Sequence, residues 1–352
     1  MSLQPRRLLG LLLLALSLVA ARSFPAETPP AFLLKWGVLG TSDSQFSGPR
    51  GVAVDDSGIV YVVDTSNHRI QKFDSFGTFV SMWGWGVRTG AAELQVCTAR
   101  CQQGIAGGGN GQFHFPQDVA LDAAGRVYVS DQNTHRVQRF ESSGEYLSQW
   151  GSQGSAEGQF LAPMGVAVDA AGNVYVADSG NNRIQRFSSV GAFVTQWGSI
   201  GSADGQLNDP GGIAVDADGN VYVAETGNNR VQKFGGEGLF LDKWGSQGGG
   251  DGEFLFPSGL AVDSEGNVYV ADSQNNRVQK FASDGTFLAK WGLLCIVLSV
   301  GVDGCDGHFQ QPHGIVVDAT GSIFVSDDTR IQKFGDPLLE FFIGEPDLPG
   351  GH

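Results

Sequence analysis

Positive charge is scarce in this chain of 352 residues: 22 Lys and Arg stand against 37 Asp and Glu. A phosphate backbone is held by a basic face, and this balance supplies none, so nucleic acid is not an expected partner. Long apolar runs are also missing. The one sustained run, Leu8 to Val19, is shorter than the roughly 20 residues that cross a bilayer. It follows Arg6 and Arg7 and ends near the small residues Val19 and Ala21. That is the layout of an export signal, so residues 1–21 are read as a signal peptide and 22–31 as a short linker. No stable membrane span is expected once the signal is cleaved. Arg6, Arg7 and Arg22 lie in or beside it, so residues 23–352 hold 19 basic and 37 acidic side chains, a net charge of −18. The expected location is secreted or extracytoplasmic, at a cell surface or in a periplasm.

Cysteine is limited to Cys97, Cys101, Cys295 and Cys305. An even count in an exported chain points to disulfides, and the local pairs Cys97–Cys101 and Cys295–Cys305 are the simplest of three connectivities. Zinc held by four thiolates is the rival, but these spacings match no zinc pattern. Histidine is limited to six residues, which leaves few ligands for a catalytic metal.

Glycine, by contrast, is abundant at 52 residues, while hydrophobic residues still make up 41%. A disordered chain would lack that apolar share. The glycines punctuate a repeat. Its cleanest copy reads Pro257-Ser-Gly-Leu-Ala-Val-Asp263, Ser-Glu-Gly-Asn-Val-Tyr-Val-Ala-Asp272, Ser-Gln-Asn-Asn-Arg-Val-Gln-Lys-Phe281, and ends in Trp291-Gly292. The opening prolines are Pro49, Pro116, Pro163, Pro210, Pro257 and Pro312, separated by 67, 47, 47, 47 and 55 residues. The two long periods come from insertions between a closing Trp and the next Pro, so both map to one face of the assembly. Both carry the cysteines.

Each repeat offers four short strands rich in Val and aromatics, joined by tight-turn residues. Four strands at this period predict an all-β fold, a six-bladed β-propeller of four-stranded blades over residues 32–344, with 345–352 as a tail. Phe32-Leu-Leu-Lys-Trp-Gly37 matches a fourth strand but precedes the first full repeat, whereas the last repeat has only the degraded Leu338-Leu-Glu-Phe-Phe-Ile-Gly344. The N-terminal strand is therefore expected to close the ring.

The pattern Pro-x-Gly-Val-Ala-Val-Asp, Gly-Asn-Val-Tyr-Val-Ala-Asp, Asn-Arg-Val-Gln-Lys-Phe resembles the NHL repeat. The resemblance implies a propeller but not one function. Such propellers include RNA-binding and partner-binding modules of tripartite-motif ubiquitin ligases, a zinc-dependent amidating lyase, and exported bacterial proteins of unknown role. Nothing in the chain resembles a RING, a B-box or a coiled coil.

Residues present in every repeat are expected to serve the fold. Asp64, Asp131, Asp178, Glu225, Asp272 and Asp327 face Arg69, Arg136, Arg183, Arg230, Arg277 and Arg330 across a strand connection, as ion-pair clips. Asp55, Asp122, Asp169, Asp216, Asp263 and Asp318 are expected to bond turn amides. Asp216-Ala-Asp218-Gly-Asn220 lacks the final Glu of a calcium loop. No cofactor is expected; calcium or zinc is the alternative. The Trp-Gly closures are read as packing between blades rather than as sugar platforms.

Function is expected where repeats differ. The position after each repeat proline holds Arg50, Gln117, Met164, Gly211, Ser258 and His313, and Asp118 replaces a glycine. His68, His114, His135 and His308 fall in the same three blades, six, one and two. These eight residues (Arg50, His68, His114, Gln117, Asp118, His135, His308, His313) form the candidate surface for a protein, peptide or glycan partner, on the face bearing the insertions. The favoured reading is a non-enzymatic binding or scaffold propeller. The alternative is a metal-dependent lyase or lactonase-like enzyme with its site at the channel mouth, which needs three or four converging ligands where His313 and Asp118 alone are of ligand type. The apolar run Leu293 to Val300 in the second insertion is expected to tuck against the propeller.

Overall fold

The computed structural model describes residues 27–295 and 305–338. The expected signal peptide, the degraded strand beyond Leu338, the tail 345–352 and the part of the apolar run after Cys295 lie outside them.

The described residues form six antiparallel blades in a ring. Blade one contains Pro49–Val54, Val60–Asp64, Arg69–Phe73 and Phe79–Trp85. Blades two to five repeat this order from Pro116–Leu121, Pro163–Val168, Pro210–Val215 and Pro257–Val262, which are their innermost strands. The second strands, such as Val60–Asp64 and Val174–Asp178, are buried at every position. Each lies between neighbouring blades and does not alternate, its first three residues apolar or aromatic and its last a buried Asp or Glu. Outermost strands such as Phe193–Trp197 alternate with solvent.

Blade six contains Pro312–Val317, Ile323–Asp327 and Arg330–Gly335, and Ala31–Trp36 supplies its outermost strand. This strand pairs antiparallel with Arg330–Gly335, placing Trp36 opposite Ile331. The innermost strands of blades six and one pack together, so the ring closes as expected from the N-terminal strand. Closure removes the open sheet edges that a linear array would leave.

The six closing tryptophans pack between blades. Trp36 lies 5.7 Å from Phe73 of the next blade. The series continues with Trp83–Phe140, Trp150–Phe187, Trp197–Phe234, Trp244–Phe281 and Trp291–Phe334, at 5.9–6.0 Å between ring centroids. Gly77 shows why the turn between the third and fourth strands carries glycine: its φ is +80°, and a Cβ there would lie 2.7 Å from the Trp36 ring.

The repeated polar residues are clips, with more partners than a strand connection requires. Arg69 Nε donates to Asp64 at 2.7 Å, while its other nitrogens donate to the carbonyls of Thr41, Ser42 and Gln45. Asp64 accepts the Ser47 N–H in return. The pair thus fastens the loop that precedes each blade. The turn aspartates also bond as expected: Asp216 accepts the N–H groups of Asp218 and Asn220, the Asn220 amide and the Tyr222 hydroxyl.

Blade one departs from the four-strand pattern. Part of the first insertion, Leu94–Cys97, pairs with Phe79–Trp85 as a fifth strand. Cys97 and Cys101 are bridged, as are Cys295 and Cys305, with Cα separations of 5.8 and 5.2 Å. Asp43 accepts the N–H groups of Arg100 and Cys101, and Gly104 N–H donates to Asn67 O. These bonds hold the insertion on the loop face, beside His68. In the second insertion, Phe309 N–H bonds Leu293 O. Backbone pairing follows the expected tucking there, but the side chains of Leu293 and Leu294 are exposed rather than packed.

Candidate functional site

The innermost strands converge so tightly that glycine is required where they cross. A Cβ on Gly314 would lie 2.1 Å from Arg50 O, and one on Gly212 would lie 2.3 Å from Ser258 O. Just outside this belt the residues after the repeat prolines line an axial cavity of about 90 Å³. One side is bland, with Met164, Gly211 and Ser258. The other holds Arg50, Gln117, Asp118 and His313.

These four are electrostatically linked to one another or to the backbone. Arg50 Nη1 donates to Gln117 Oε1 at 2.8 Å. Gln117 Nε2 is shared between Phe115 O and Gln132 Oε1, both at 3.0 Å, which fixes the amide orientation. Arg50 makes no ion pair among the described residues, and burial lowers its pKa. Burial and then the Arg50 charge push His313 down to about 4, so its imidazole is neutral at physiological pH. Asp118 stands where the other blades have glycine. Its carboxylate accepts the N–H groups of Val119 and Val166 at 2.9 and 3.0 Å. Burial nonetheless pushes it up to about 6. The wall therefore offers a cation, a neutral imidazole, an oriented amide and a carboxyl group close to its ionisation range.

The other predicted residues do not join this cavity. His68 and His135 occupy left-handed backbone positions, with φ of 53° and 55°. Their Nδ1 atoms accept the N–H groups of Phe115 and Ala162 at 3.2 and 3.0 Å. In other blades an asparagine Oδ1 does the same: Asn182 to Asp209, Asn229 to Phe256 and Asn276 to Gln311. These two histidines are thus inter-blade clips. His114 stacks near His68 and Phe115, with centroids 5.9 and 5.8 Å away. His308 stands apart from them, its Nδ1 donating to Asp306 O while its carbonyl accepts from Arg330. Among the described residues no three His, Cys, Asp or Glu side chains converge as metal ligands.

A second cavity, of about 150 Å³, escaped the sequence reading. It is lined by Gly48, Gln310, Gln311, His313 and Asp328, at the seam of blades six and one. Its signal was present in the chain. Between the second and third strands blade six has only Asp328 and Thr329, where the other blades have four residues.

The NHL repeat pattern matches residues 46–73, 113–140, 160–187, 207–234 and 254–281. Blade six, with its shortened connection, is unmatched. NHL repeat-containing protein 3 of Mus musculus is 32% identical over 115 residues, 32% of this chain and 27% of that protein. The matched segment thus spans about a quarter of that relative. A structure of unknown function from Bacteroides thetaiotaomicron superposes with a TM-score of 0.61 at 19% identity, covering 85% of this chain and 73% of the other. A gluconolactonase from Xanthomonas campestris superposes at 0.55 with 14% identity, covering 89% and 99%. These likenesses establish the ring architecture. The chain carries five NHL repeats on a closed six-bladed β-propeller.

Proposed function

We propose that this propeller is a non-enzymatic binding or scaffold module working outside the cytoplasm, and that its partner is a protein, peptide or glycan seated on the loop face over blades six, one and two. One observation carries the reading: the ionisable groups of the axial cavity, Arg50, Asp118 and His313, lie on that sector alone, with the oriented amide of Gln117 between them. A ring of near-identical blades has no folding reason to keep at one point a half-buried guanidinium without an ion pair among the described residues. Protein binding is the common role of NHL propellers, and the first insertion adds surface beside the same sector. The two disulfides and the export-type N-terminal sequence support the extracytoplasmic setting. The reading requires no metal or cofactor.

The test uses peptide and glycan arrays probed with the purified protein. Hits are re-measured with Arg50→Ala, Gln117→Ala and His313→Ala combined, and with Thr226→Ala in blade four as control. Affinity is expected to fall at least about tenfold in the first variant and to hold in the second. Hits that survive the triple change and fail in blade four overturn the sector assignment. Stoichiometric zinc or another metal in the purified protein, lost on His313→Ala, would favour an enzyme instead.

A further inference from the structure

The clip between neighbouring blades recurs five times and breaks once. In each case the residue before a repeat proline donates its N–H to a side chain of the preceding blade. The acceptors are His68, His135, Asn182, Asn229 and Asn276, and the donors are Phe115, Ala162, Asp209, Phe256 and Gln311. The sixth donor is Gly48, which precedes Pro49. Its acceptor would come from blade six, but there the connection holds only Asp328 and Thr329. The left-handed residue of this connection is Asp328, with φ of 44°, but it stands one position earlier relative to the third strand, and Gly48 N–H finds no acceptor among the described residues. The 150 Å³ cavity lies at this position, with Gly48 on one wall and Asp328 on another.

We propose that this notch is a carboxamide site, in which the side chain of an asparagine in an extended peptide ligand replaces the missing clip. Three native clips already use a carboxamide oxygen for the equivalent N–H, at 2.9–3.0 Å. The incoming amide oxygen accepts from Gly48. The amide nitrogen faces the exposed carboxylate of Asp328, which a peptide carboxylate would meet as a like charge. His313 is shared with the axial cavity, so a chain leaving the notch runs toward Arg50 and Gln117. The proposal deepens the loop-face reading above and rests on it.

The probes are N-acetyl-L-asparagine methylamide and N-acetyl-L-aspartate methylamide, titrated into the ¹⁵N-labelled protein. The Gly48 amide resonance is expected to shift saturably with the asparagine compound, with Kd on the order of 1 mM for so small a ligand. The aspartate compound is expected to bind at least about tenfold more weakly. Replacing Asp328 and Thr329 by the four-residue connection of blade three, Ser179 to Asn182, should supply the clip internally and abolish the shift. Asp328→Ala, which leaves the backbone length alone, should weaken the asparagine compound several-fold. No shift at Gly48, equal response to both compounds, or full binding by the graft would overturn the site. Array hits lost with Arg50, Gln117 and His313 but unmoved by the graft would sink the carboxamide site and leave the loop-face reading standing. Hits unmoved by either would sink both.

Discussion

His68 Nδ1 accepts the backbone N–H of Phe115 at 3.2 Å, making the bond that Asn182 Oδ1 makes to Asp209 at 2.9 Å. The imidazole must then be neutral, with its proton on Nε2. His68→Asn is expected to change stability by less than about 0.5 kcal/mol, since the acceptor and the tolerance of φ +53° both survive. His68→Ala loses both and is expected to cost about 1–2 kcal/mol. Burial holds His68 and His135 below the ordinary imidazole value. Their contribution is therefore full above the unfolded value of 6.5 and declines as pH falls through the folded values. Urea denaturation at several pH values should show a shallower acid loss in the double variant His68→Asn, His135→Asn. An unchanged slope would refute the neutral-clip assignment.

The same histidines show where sequence reading succeeded and failed. Pro49, Asp64, Arg69 and Trp83 recur at fixed offsets, and a recurring residue reports a recurring contact, so blades, clips and the closing Ala31–Trp36 strand were legible. So were the axial positions, because Arg50, Gln117 and His313 share one register. His68 and His135 are ligand candidates in the sequence because the histidines fall together in blades six, one and two. Their alignment with Asn182, Asn229 and Asn276 would have revealed the shared acceptor role. The fifth strand, Leu94–Cys97, lies in a segment that occurs once and pairs only with its own blade's edge. No periodicity marks such a strand. The seam notch is marked in the chain by the two-residue connection Asp328 and Thr329, but the N–H left without its acceptor shows only when six equivalent positions are compared in space.

Asp118 is held at a cost to the fold. Its pKa rises from 3.8 to about 6 because burial outweighs two backbone hydrogen bonds. A carboxyl raised in the folded state favours folding below its unfolded value and loses that contribution as pH rises through the folded value. Asp118→Asn keeps one acceptor and turns its amide nitrogen toward the other N–H, so it is expected to be less stable than the wild type near pH 4, and to recover by about 1–2 kcal/mol relative to it as pH rises to 7. Most of that recovery should fall between pH 4 and just above pH 6, where the wild-type carboxyl ionises. Asp131 is also pushed up to about 6 by burial, so the difference between variant and wild type is the relevant quantity. If Asp118 serves ligand binding, the variant should also bind array hits more weakly at pH 7. A difference between variant and wild type that does not change between pH 4 and pH 7 would contradict the burial argument.

Trp36 ties the N-terminal strand to both blades at the closure. Its ring lies against Phe73 of blade one and Phe324 of blade six, at 5.7 and 6.2 Å. The strand is also tied to blade five, through Glu27 N–H to Leu288 O and the Glu27–Lys280 ion pair at 2.6 Å. Trp36→Ala is expected to cost about 3–5 kcal/mol, the range for a large aromatic removed from a packed site. Glu27→Ala removes one partly exposed pair and should cost less than about 1 kcal/mol. The two differ in kind as well as size. Loss of Trp36 unzips Ala31–Trp36 from Arg330–Gly335, exposing the edge of blade six and the seam beside Gly48. Limited proteolysis should then cut near residues 27–37 before any other site, while blades two to four stay protected against hydrogen exchange. Uniform loss of protection around the ring would mean instead that the blades unfold as one cooperative unit, with no local opening at the closure.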